Sequence, residues 1–326
     1  MKLVSKLFSS IFMIIAVGCA SNNSSNNKDL KVEPDSMLVF AVNTNHGVGY
    51  FADADGKLLF KKQFEEVCRF NDGFAMVRQN NKWGFVDSKG TLVVPCLYDE
   101  VRSFSEDLAA VRQNRKWGYV DKTGGVVIPC IYDEVYSFSN GVAFVMNTEE
   151  EVTYDSNIIG AEWVRFIDKW GLIDKDGALL SSLVYESASA YSEGFAAVER
   201  EGKWGFIDTR GDVVIPFIYD QVNSFSEGLA AVRCDEKWGY IDKHGDLVTP
   251  IIYNSAKEFS HGLGFVSINN KYGCVNKRGE LVTSCVYDVI DFINGFSEDL
   301  MWVVQDDRFG FINTTGELVI PCVHEW

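Results

Sequence analysis

Apolar and polar positions along this chain recur in short blocks, and the block from Tyr98 to Pro129 shows the pattern. A partly polar stretch, Asp99–Phe104, precedes three apolar ones: Leu108–Arg112, Lys116–Asp121 (Lys-Trp-Gly-Tyr-Val-Asp) and Val126–Ile128, the last ended by Pro129. The joints are Ser-Glu-Asp before Leu108, Gln-Asn-Arg before Lys116 and Asp-Lys-Thr-Gly after Val120. Such residues favour turns because their side chains bond to nearby backbone or tolerate a positive φ. Four short antiparallel strands per block are predicted, and no stretch of the body has helical periodicity long enough to predict a helix. Trp117 and Tyr119 fall on one face of their strand and Gly118 and Val120 on the other, whereas Leu108–Val111 is apolar on both. The sheets are therefore expected to be covered on both sides.

The block is a repeat. Aromatic-glycine pairs occur at Trp83-Gly84, Trp117-Gly118, Trp170-Gly171, Trp204-Gly205, Trp238-Gly239, Tyr272-Gly273 and Phe309-Gly310, with a degenerate copy at Val48-Gly49-Tyr50. Most steps are 34 residues; one of 53 precedes Trp170 and one of 37 precedes Phe309. A fixed period of this size marks an array in which a single unit cannot bury its own apolar surface and must stack on its neighbours. The glycine after each tryptophan is expected to let a neighbouring sheet or aromatic ring press on bare backbone. The recurring Lys-Trp-Gly-[Phe/Tyr]-[Ile/Val]-Asp, with its later Pro, Tyr-[Asp/Asn] and Phe-Ser-x-Gly, resembles the WG or KWG repeat of bacterial proteins across residues 37–326. The resemblance implies a repeat architecture, often in exported proteins, and implies no particular activity.

The expected fold class is all-β: eight tandem units of short antiparallel meanders. The preferred closure is a β-propeller of about eight small blades, because the body begins at a second strand, Met37–Asn43, and ends with Val323–Trp326 in the place of a spare first strand. An open β-solenoid is the alternative, and two separate β domains a third.

The first 18 residues read as an export signal, with Lys2 and Lys6 ahead of an apolar core, Leu7–Val17, too short to span a bilayer. Ala16-Val17-Gly18-Cys19 resembles a lipobox, which implies that Cys19 is acylated and anchors the protein in the bacterial envelope, at the outer membrane or cell surface. Residues 19–36 are rich in Ser and Asn and read as a tether. The formal charge is −16, and removing Lys2 and Lys6 leaves 28 basic against 46 acidic residues, or −18. That balance argues against nucleic acid as a partner. Of eight cysteines, Cys96, Cys130, Cys285 and Cys322 share the register that holds Phe217 and Ile251 in other units, so buried free thiols are expected rather than disulfides.

Asp87, Asp121, Asp174, Asp208 and Asp242 each follow the repeat tryptophan by four residues, with Asp53, Asn276 and Asn313 in matching places. They could line a cation-binding rim, but Asp or Asn ahead of Gly is also standard turn chemistry, the preferred reading. Asp53-Ala54-Asp55-Gly56 starts like a calcium loop and lacks its closing glutamate. His46, His244, His261 and His324 are scattered, so no metal site or cofactor is expected. No nucleophile with an oriented base is suggested, and no enzyme activity is expected. The repeat tryptophans are expected in the core, leaving Trp163, Trp302 and Trp326 as candidates for exposure.

One unit carries 19 extra residues between Phe138 and Trp170, expected to lengthen a hairpin over about 147–164. Glu149, Glu150, Glu151, Tyr154, Asp155, Glu162 and Trp163 lie there, and clustered acids flanked by aromatics suit a protein or peptide partner of basic character. The functional expectation is a monomeric binding or scaffold protein of the cell envelope that presents a repeat-built β surface to a protein or peptide partner. A glycan-binding or glycan-active protein and a purely structural component are the alternatives.

Overall fold

The computed structural model describes residues 40–43, 49–52, 63–154, 162–291, 296–297 and 299–324. The expected signal, Cys19, the tether, Asp53, Asp155 and Trp326 lie outside them. Contacts divide the chain into two compact units, Met1–Cys130 and Ile131–Trp326. Among the described residues the fold is all-β: six four-stranded antiparallel sheets, one three-stranded sheet and one hairpin, following one another along the chain.

One sheet of the second unit stands for the rest. A two-residue strand, Ser187–Ala188, pairs with Phe195–Arg200, which pairs with Lys203–Asp208, which pairs with Val213–Tyr219. The central hairpin turns at Glu201 and Gly202, whose φ values of 54° and 71° fit the primed turn that matches strand twist. The core is built from the residues after the repeat glycine. Phe206, Ile207 and Ile215 are sealed from solvent, and Phe206 and Ile215 cluster with Tyr219 of the same sheet, with Phe225 of the following connection and with Val232 of the next sheet. These two successive sheets thus share one core, as expected for units that cannot bury themselves.

Four expectations need correction. The fourth strand does not stop at proline. Val126–Tyr132 runs through Pro129, and Val213–Tyr219 through Pro216. Between the pairs Phe206↔Ile215 and Trp204↔Tyr219 the outer strand spends four residues against two, a bulge at an outer strand, where a missing N–H is tolerated. Secondly, that bulge, and not a neighbouring sheet or ring alone, is what lies over the glycine: a Cβ on Gly205 would stand 2.6 Å from the Ile215 carbonyl oxygen, and one on Gly84 2.3 Å from that of Val94. The bulge also carries the cysteine register inward, so that Cys130 Sγ reaches the Val111 carbonyl at 3.5 Å.

Thirdly, the repeat tryptophans are not equally buried. Trp117 is 3% exposed, but Trp83, Trp170, Trp204 and Trp238 are only half-buried. Trp83, Trp117, Trp204 and Trp238 lie at the hairpin end of their strands, and Arg side chains cover some of the rings: Arg78 stands 5.6 Å from the Trp83 ring and Arg102 4.3 Å from that of Trp117. Trp302, a candidate for exposure, is half-buried as well. Finally, Val323 and His324 continue the last strand, Leu318–His324, where His324 pairs with Phe309, so they do not form a spare first strand.

Candidate functional site

Most of the recurring polar chemistry of the repeat is directed at its own backbone. Asp208 Oδ1 accepts the Arg210 and Asp212 amides at 2.9 and 3.0 Å, and Asp87, Asp121, Asp174 and Asp242 close their turns in the same way. Asn276 and Asn313 do so with an amide oxygen. These positions are turn caps. The lysine of Lys-Trp-Gly ties one turn to the next. Lys203 donates to Asp220 Oδ1 at 2.5 Å, while Asp220 Oδ2 accepts the Asp235 amide in the following hairpin turn. Asp235 and Glu236 both have positive φ, which that acceptor helps to hold. Lys271, Asp288 and Asp306 repeat the arrangement.

A further set of ties was not assigned from sequence. In Tyr191-Ser192-Glu193-Gly194, which stands in the Phe-Ser-x-Gly register, the Ser192 hydroxyl donates to the Phe225 carbonyl, and Glu193 accepts the Gly228 amide at 2.9 Å. Glu227 likewise accepts the Gly262 amide at 2.9 Å and pairs with Lys277 at 3.0 Å. The signal was present in the recurrence of Ser and Glu at these offsets, but spacing alone does not reveal a partner one unit away.

Among the described residues, two clusters have the outline of a ligand site. Asp220, Cys234 and Asp235 bring ligand atoms within 4.8 Å of one another. Asp220 is already engaged, and the hydrogen bond from Lys203 holds its carboxyl below the usual range. The other is a shallow depression of about 360 Å³ lined by Lys169, Leu183, Val184, Glu186, Arg200 and Glu201. Its charges are mutually paired, Lys169 with Glu186 at 3.7 Å and Arg200 with Glu201 at 3.4 Å.

The extra residues form a ribbon. Val142–Tyr154 and Glu162–Asp174 pair without interruption from Val142↔Asp174 to Tyr154↔Glu162, thirteen positions, where Phe195–Arg200 and Lys203–Asp208 make six. The seven additional pairs project past the sheet. Glu150↔Phe166 and Val152↔Val164 share one face, and Glu149↔Ile167 and Glu151↔Arg165 the other. Glu149, Glu150 and Glu151 are exposed, and Phe166 is 66% exposed beside exposed Val152 and Val164. Thr148 Oγ1 bonds Asp168 Oδ1 at 2.7 Å across the ribbon. Tyr154 and Glu162 form its last described pair, next to Thr153↔Trp163. The structure thus brings the three glutamates together on one strand, beside an apolar patch contributed by Val152, Val164 and Phe166.

No curated protein matches the sequence. Among solved structures, apo AztD from Citrobacter koseri aligns with 11% identity over 88% of this chain and 95% of its own, with a TM-score of 0.35. Hsv2p from Kluyveromyces lactis aligns with 11% identity over 72% of this chain and 88% of its own, also at 0.35. Both alignments are long but loose. The repeat is matched directly and throughout, at residues 51–83, 83–117, 117–149, 170–204, 204–238, 238–272, 272–308 and 309–325. With eight copies covering most of its length, the chain belongs to the family of proteins built from the WG containing repeat.

Proposed function

We propose that this protein is a binding scaffold of the bacterial cell envelope, held there by a lipid on Cys19, and that its projecting hairpin engages a protein or peptide partner. The observation that carries this reading is the ribbon from Thr148 to Asp168. It adds seven cross-strand pairs that the array does not use and exposes a phenylalanine and two valines in two neighbouring pairs of one face. Contiguous apolar side chains rimmed by charge mark contact surfaces more often than isolated ones do. Three consecutive glutamates and a formal charge of −16 favour a basic partner, drawn in by long-range attraction.

A non-catalytic role is supported by the state of the carboxylates. Asp99, Asp121, Asp208, Asp220, Glu227 and Asp288 are all shifted below their ordinary range, through bonds to lysine, arginine or turn hydrogen-bond donors that in some cases outweigh burial. Acids held this way brace backbone and are poorly placed to transfer protons.

The test replaces Thr148–Asp168 with Asn-Gly, so that Asn147 and Lys169 flank a two-residue turn as Arg200 and Lys203 do. The thermal transition should be unchanged. A partner that photo-cross-links through a benzophenone side chain at position 166 of the full chain should be missing from the shortened chain's captures. Identical capture by both would sink the reading. The anchor is tested separately: Cys19→Ser should abolish fatty-acid labelling and release the protein from the membrane fraction.

A further inference from the structure

The hairpin has an open edge as well as an apolar face. The first strand of its sheet, Glu134–Val135, pairs only with Met146 and Val145, so among the described residues no strand lies beside Thr148–Val152. The direction of the backbone there can be read from its neighbours. The Tyr136 amide donates to the Phe144 carbonyl and the Asp133 amide to that of Met146, at 2.8 and 2.9 Å, and the Thr148 amide donates to Asp133 Oδ2 at 3.0 Å. Peptide groups alternate along a strand, so Glu150 and Val152 aim N–H and C=O to this same open side, while Glu149 and Glu151 aim theirs across the hairpin.

An open edge is a template for another strand, and proteins guard such edges with proline, bulges or charged side chains that repel a like-charged copy. Guarding is visible elsewhere in this chain. Five of its six prolines, Pro95, Pro129, Pro216, Pro250 and Pro321, stand at one register of the outermost segment of their units. Thr148–Val152 has no proline and no lysine, and its register is unbroken. Its glutamates disfavour a second copy of the chain, because self-pairing would set like charges opposite one another. They favour the opposite charge.

We infer that the Thr148–Val152 edge takes up an extended segment of a partner protein by strand addition, a segment with lysine or arginine at alternate positions and aliphatic residues between them. Main-chain bonds to Glu150 and Val152 supply the register. Basic side chains on one face meet Glu149 and Glu151, and aliphatic ones on the other run beside Val152. This rests on the reading of the hairpin as the binding surface.

The probe is a synthetic octapeptide of alternating Lys and Val, titrated against the full chain with hydrogen exchange as a second readout. The Glu150 and Val152 amides should exchange fast in the free protein and become protected in the complex, with Glu149 and Glu151 unchanged. Glu150→Pro removes an outward N–H and leaves the hairpin's own ladder intact, and should weaken binding at least ~10-fold, as each step of 1.4 kcal/mol does. Val152→Pro serves as the second variant if Glu150→Pro has a lowered thermal transition. Glu150→Gln keeps the amide and should weaken binding much less, and an alternating Glu-Val peptide should not bind. Absence of binding, protection at Val164 and Phe166 instead, or equal binding by both proline variants would overturn strand addition. If the shortened chain loses the peptide while the proline variants keep it, the hairpin remains the binding surface and only the mode is wrong. Equal binding by the shortened chain removes both.

Discussion

The Ser226 hydroxyl donates to the Phe259 carbonyl oxygen at 2.7 Å, 33 residues along the chain, as Ser192 does to Phe225. Two successive sheets of the second unit are each fastened to the next by a bond that neither sheet could make alone. Ser226→Ala leaves a half-buried carbonyl without its donor and should cost about 1 to 2 kcal/mol in urea unfolding. A loss below a few tenths would mean that water replaces the hydroxyl without penalty.

Gly205→Ala tests the bulge. The added methyl meets the Ile215 carbonyl at 2.6 Å and the Phe217 ring at 3.0 Å, both anchored by the outer strand, so the strand must shift. Destabilisation of roughly 1 to 3 kcal/mol is expected. An unchanged urea midpoint would show that the outer strand yields freely.

Trp204 and Phe206 share a strand, yet only Phe206 is sealed, at 1% exposed. Phe206→Ala should cost about 3 to 5 kcal/mol and Trp204→Ala clearly less, about 2. Reversal of that order in parallel urea titrations would return the tryptophan to the centre of the core.

Burial pushes the Asp208 carboxyl up, but the bonds from Arg210 and the turn amides outweigh it and hold its pKa below the ordinary 3.8. A carboxyl depressed on folding contributes stability that is present above its unfolded pKa and is lost as pH falls through the folded one. Asp208→Asn keeps the acceptor that Asn276 uses in the same turn. The parent should therefore exceed this variant in urea midpoint at neutral pH, and the gap should close as the pH is brought below the ordinary 3.8. A gap independent of pH would show that the charge contributes nothing.

Much of this was legible in the sequence because it follows from local rules. The strands follow from period-two runs, the caps at Asp87 to Asp242 from Asp preceding Gly, and the long hairpin from 19 residues inserted at one joint. What was not legible depends on atoms one strand or one unit away. Pro216 reads as a terminator until the bulge gives it an edge to occupy. Trp204 reads as core until its place at the hairpin end is known. Ser226 and Glu227 look like ordinary turn residues, since nothing near them in sequence names Phe259 or Gly262 as a partner. The open amides of Glu150 and Val152 are set by backbone parity, which composition does not carry.

The ties between units also bear on how such a chain can change length. The Lys203–Asp220–Asp235 and Lys271–Asp288–Asp306 links, and the Ser192–Phe225 and Ser226–Phe259 links, each join one unit to the next with nearly the same offsets. Duplicating or deleting one whole 34-residue block in this stretch keeps these offsets, whereas removing half a block breaks the links that span the cut. Length therefore changes most simply by whole blocks, and the hairpin obeys the same scheme: the Thr148 amide donates to Asp133 Oδ2 as the Asp235 amide does to Asp220, so trimming the ribbon beyond Thr148 leaves that link in place.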